Sequence, residues 1–130
     1  MWQPCCMPQD ANMVRLELTA DEVLMLTESL TGWAGPARGT DSLAVTMGFS
    51  SLEHGLQEGP RVARAIGAGQ ALTVRNWTRA LVAAEFAFAS DVLGWGGEWT
   101  VIQGGTDSYW LGVLRGLQRK VPSDRRYLGP

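Results

Sequence analysis

The sequence predicts a mainly α, single-domain helical bundle of four or five helices, with a short N-terminal strand or extended segment. Three observations lead there. Polar capping residues stand directly ahead of apolar residues repeating at helical spacing, as in Thr19-Ala20-Asp21-Glu22. One apolar stretch, about Val74 to Leu93, is long enough to be a central helix. Glycine and proline cut the chain between these stretches rather than within a regular β pattern. With 130 residues there is room for one real core, and 45% hydrophobic with 18% charged residues excludes a disordered chain.

Residues 1 to 12 read as a disordered leader with two prolines and adjacent Cys5 and Cys6. Neighbouring cysteines do not bridge each other without strain, so no disulfide framework is expected. Val14, Leu16 and Leu18 alternate with polar residues, a strand signal, with pairing expected near Val45 or Val101. The Thr19–Glu22 capping box opens a helix from Ala20 to Thr31, with Val23, Leu26 and Leu30 on one face. Gly32, Gly35, Pro36 and Gly39 then make a loop, and Asp41–Phe49 fits either a helix or a strand. Ser50 with Glu53 reads as a second capping box, opening a short helix that ends near Gly59. Pro60 suits a first helical position, so Arg61–Ile66 is expected as a separate turn, buried through Val62 and Ile66.

Thr73 caps the long helix, and Gly94 suits its left-handed C-cap. The Gly94–Trp99 loop leads to Thr100–Gln103, read as extended. Thr106 caps a last helix with a stripe of Trp110, Val113, Leu114, Leu117 and Val121, complemented at its end by Arg115, Arg119 and Lys120. Pro122 stops it, giving a globular domain over residues 13–121 and a frayed basic tail over 122–130.

Net charge is −2, so bulk electrostatics attract neither nucleic acid nor anionic membrane. The basic residues near the C-terminus are read as a helix end and a solvated tail. Lys120 is the only lysine, an arginine bias that reflects coding composition more than mechanism. No charged segment followed by an apolar one marks a secretory leader, and no apolar run spans a bilayer, so a cytoplasmic protein is expected. No cofactor or metal is expected: two cysteines and a distant His54 do not make a zinc set, and no phosphate loop or nucleophile elbow occurs. His54 itself reads as a solvated or capping histidine.

Two places carry candidate chemistry. The glycine-rich loop presents Trp95, Glu98 and Trp99, with Asp107 and Tyr109 close behind in sequence. Large rigid aromatics beside carboxylates suit recognition of another protein, since tryptophan and tyrosine dominate interface hot spots. The favoured reading is a small protein-binding module, in its most concrete form an immunity- or antitoxin-type inhibitor that masks a basic toxin or enzyme; exposed Trp and Met equally allow a homodimer. The tryptophans can alternatively tuck under the long helix as core. The second place is Glu85, flanked on the helix by Leu81, Val82, Phe88 and Ala89. It is read either as the partner of Arg79, Arg64 or Arg115, as partly exposed, or as the polar anchor of a small-molecule pocket, which would make the protein a ligand binder or minor enzyme. One acid without a visible partner base does not make an active site, so a binder is favoured over an enzyme.

Overall fold

A computed structural model describes residues 12–32, 40–90 and 96–128. The expected leader, the loop after Gly32, the Gly94 cap and Trp95 lie outside the described residues. Within them the chain is a small mainly α domain. Its elements are β1 (Met13–Val14), α1 (Ala20–Thr31), α2 (Asp41–Thr46), α3 (Leu52–Gly67), β2 (Leu72–Thr73), α4 (Val74–Ala89), α5 (Glu98–Gln103) and α6 (Asp107–Lys120), followed by a 3-10 turn (Arg125–Tyr127).

The Thr19 hydroxyl accepts from the Glu22 amide at 3.2 Å while the Glu22 carboxylate accepts from the Thr19 amide at 2.9 Å, closing the capping box that starts α1. Single hydroxyl caps start three more, Thr40 for α2, Thr73 for α4 and Thr106 for α6, whereas α5 starts at Gly97 without a side-chain cap. At α3 the cap is Ser51, one residue later than the sequence suggested. Ser51 Oγ accepts from the His54 amide, and His54 Nδ1 in turn accepts from the Ser50 amide, each at 3.0 Å. His54 therefore takes the reciprocal role expected of Glu53.

Two local expectations do not hold. α3 runs unbroken through Pro60. The clash that normally keeps the residue before proline out of a helix involves its N–H and its Cβ, and Gly59 lacks the second of these. The same glycine lets α3 approach α1 closely, since a Cβ there would stand 2.5 Å from the Leu30 carbonyl oxygen. Thr100–Gln103 is helical in α5 rather than extended, because packing of Trp99 overrides the β preference of Thr100, Val101 and Ile102. Val45 and Val101 thus sit in helices, and β1 pairs instead with β2, antiparallel, with Met13 opposite Thr73 and Val14 opposite Leu72. The Trp77 indole locks this pairing by donating to the Val14 carbonyl at 2.8 Å.

The core gathers Met25, Leu26 and Leu30 of α1, Val62 and Ile66 of α3, Trp77, Ala80, Leu81 and Ala84 of α4, and Leu114 and Leu117 of α6. Alanines on α4 let its neighbours approach closely, and α1 packs against all three other long helices. The described residues after Pro122, 123–128, are docked rather than frayed. The Asp124 amide donates to Thr78 Oγ1 at 3.0 Å, and the Arg75 guanidinium lies 5.1 Å from the Tyr127 ring centre. Gly48, at φ +97°, supplies the side-chain-free surface on which the Tyr127 carbonyl rests.

An ion pair joins α1 to α6. Lys120 Nζ donates to Glu22 Oε1 at 2.6 Å, with the Glu22 side chain nearly buried. Burial pushes the Glu22 carboxyl up, but the Lys120 ammonium and the Thr19 amide and hydroxyl outweigh it and hold the group below its ordinary value of 4.5. A carboxyl depressed on folding stabilises fully above its unfolded pKa and ceases to do so as the pH falls through the folded one. Glu22→Gln is therefore expected to lose about 1–3 kcal/mol at pH 7 and to show a shallower decline in stability below pH 4.5. Urea unfolding of both proteins at pH 7 and pH 3 checks this; parallel losses would refute it.

Candidate interaction face

The glycine-rich segment splits into an inner and an outer half. Trp99 is fully buried. Its ring meets Trp110 edge-on at 5.4 Å and Phe88 at 6.3 Å, so it bridges α4 and α6. Trp110 is fixed in turn: its indole donates to the Gly104 carbonyl at 2.8 Å. Gly104 and Gly105, at φ +79° and +76°, make the left-handed turn that brings α5 back onto α6.

With Trp99 turned inward, helical geometry places Glu98, Val101 and Ile102 together on the outer arc, three and four residues apart. All three are exposed, Val101 to 82% and Ile102 to 52%. On α6, burial of Trp110, Leu114 and Leu117 leaves Asp107, Ser108 and Leu111 outside. Tyr109 packs edge-on against Trp110, and its half-exposed hydroxyl donates to Asp21 of α1. That hydrogen bond to a carboxylate raises the phenol pKa above its ordinary value.

Of the residues singled out from the sequence, the structure exposes Glu98, Asp107 and Tyr109 and buries Trp99; Asp107 lies on the Leu111 side of α6, whereas Tyr109 points towards α1. Trp99 therefore supports the surface rather than contacting a partner. Val101 and Ile102 were missed as surface residues because Thr100–Gln103 reads as extended, and Leu111 falls outside the apolar stripe read on α6. The available signal was one large aromatic between two glycine pairs, with Glu98 and Ile102 four apart. No protein-family model, curated protein or solved structure matches this chain.

Glu85 occupies a different surface. It is half-buried and accepts from Gln118 Nε2 at 2.7 Å, while Gln118 Oε1 accepts from Arg115 at 2.8 Å. The carboxylate thus reaches Arg115 through an amide rather than by a direct ion pair. Arg79 instead donates to the Gly48 carbonyl and to Asn76 and lies over Phe49, and Arg64 is exposed on α3. The depression beside Glu85, about 430 Å³ with Phe86, Ala89 and Ser90, is shallow and open. Among the described residues no group of three His, Cys, Asp or Glu could hold a metal, and no helix is long and apolar enough to cross a membrane. Three of the five basic residues near the C-terminus are engaged within the chain: Arg115 with Gln118, Lys120 with Glu22, and Arg126 with Asp124.

The division into support and surface predicts very unequal stability effects for residues two apart. Trp99→Ala is expected to cost about 3–5 kcal/mol, whereas Val101→Ser is expected to stay within about 0.5 kcal/mol of the parent. Denaturant midpoints of the two variants measure this directly. A Val101 variant as damaged as the Trp99 one would mean that α5 is buried the other way round.

Proposed function

We propose that the chain is a cytoplasmic protein-binding module whose contact face is the outer surface of α5 and the first turns of α6. The observation carrying this reading is Val101, 82% exposed on a helix whose inward side is already occupied by a buried tryptophan. Aliphatic side chains held out on a braced helix, Val101 with Ile102, and the exposed Leu111 at the start of α6 are suited to being covered. Glu98 and Asp107 at its fringe support an adaptor or an immunity- or antitoxin-type inhibitor. The small-molecule reading is weaker, because the Glu85 carboxylate already accepts from Gln118 and stands over an open surface.

The test is affinity purification of tagged protein from its own cells, wild type beside Val101→Asp/Ile102→Asp, with mass spectrometry of both eluates. The reading predicts a stoichiometric polypeptide that follows the wild type and is reduced at least tenfold in the variant, while circular dichroism shows both folded. Equal recovery of every polypeptide by the two proteins would contradict it.

A further inference from the structure

The chemistry of the partner follows from what fringes this face; the inference rests on the docking role proposed above and goes one step past it. Between the end of α4, the Gly96–Gly97 turn and the start of α6 lies a cleft of about 490 Å³. Among the described residues its apolar walls are Phe88, Ala89 and Leu111, and Asp107 stands in its lining. Asp107 and Glu98 are both exposed, and neither forms an ion pair or side-chain hydrogen bond among the described residues. The cation next along this side of α6 is Arg115, one turn beyond Leu111, and its guanidinium donates to Gln118.

The positive end of α6 offsets only about half a charge of the Asp107 carboxylate, so the apolar surface keeps an acidic fringe. A second copy would bring that same fringe to the interface, whereas a basic partner neutralises it. We infer that the face binds a cationic amphipathic segment of another protein. Its apolar side chains cover Val101 and Ile102. One arginine or lysine enters the cleft, its aliphatic stem along Phe88 and Leu111 and its charged head at Asp107.

Three synthetic 18-residue amphipathic helices test this. They share a leucine face and carry arginine, glutamine or glutamate on the polar face; binding to the full chain is read by fluorescence anisotropy at 20 and 300 mM salt. The arginine peptide is expected to bind at least tenfold more tightly than the glutamine one at low salt. The advantage shrinks at high salt, where exposed charges are screened. Glu98→Gln/Asp107→Asn is expected to abolish that advantage while the leucine-driven part remains; Thr106 keeps α6 capped in this variant. Val101→Asp is expected to weaken all three peptides.

Equal binding of the arginine and glutamine peptides, or no binding by any, would overturn the charge inference. If both bind equally but Val101→Asp still weakens them, the docking face survives and only the partner's chemistry is wrong. If Val101→Asp changes nothing, the docking face itself fails. Sedimentation showing a wild-type dimer that Val101→Asp dissociates would also overturn the inference, since a second copy would then cover the face.

Discussion

The exposed surface of this protein depends on where one indole goes. Trp99 is the sole fully buried residue of the six-residue helix α5, a helix too short to be stable on its own. Its edge-on contacts with Phe88 and Trp110 anchor α5 to both α4 and α6, and they determine which side of α5 faces water. Turned the other way, α5 would bury Glu98 with Val101, at the cost of desolvating a carboxylate. The exposure of Val101 and Ile102 follows from this choice.

That arrangement is useful only if α6 is itself held in place, and the Glu22–Lys120 pair contributes to this. Glu22 serves both as the capping partner of Thr19 and as the counterion of Lys120. Its carboxylate lies against Gly116, where a Cβ would stand 2.9 Å from Oε2. A glycine on that turn of α6 lets α1 and α6 meet closely enough for the pair to form. Tyr109 makes a second link between the same helices through Asp21. The Glu22 carboxylate is nearly buried while Lys120 is partly exposed, and the Tyr109–Asp21 link is exposed and adds little in water.

Most of the secondary structure was legible because it is announced locally. Thr19, Thr73 and Thr106 each precede a helix that begins at the next residue, and the stripe Trp110, Leu114, Leu117 and Val121 is buried as its spacing indicates. What was not legible involved competition between local preference and distant packing. Pro60 reads as a helix start until Gly59 is recognised as easing the clash that would enforce one. Thr100-Val101-Ile102 reads as a strand because β-branched residues favour one, and only the neighbours of Trp99 decide otherwise. Glu85 looked enclosed because its own helix neighbours are apolar; the neighbours Val82 and Phe88 are themselves only half-buried, Ala89 is exposed, and the deciding partner, Gln118, is 33 residues away. The docked Asp124–Tyr127 segment is invisible locally, since its anchors Thr78, Arg75 and Gly48 belong to earlier elements. The candidate face was half legible: its carboxylates were identified, its aliphatic centre was not.

The measurement closest to the central claim is hydrogen–deuterium exchange of the chain alone and saturated with the polypeptide it captures from its own cells. The account predicts new protection concentrated in peptides covering residues 98–111, with little change at β1, β2 and the start of α4. Protection confined to the β1–β2 end, with 98–111 exchanging as before, would contradict it.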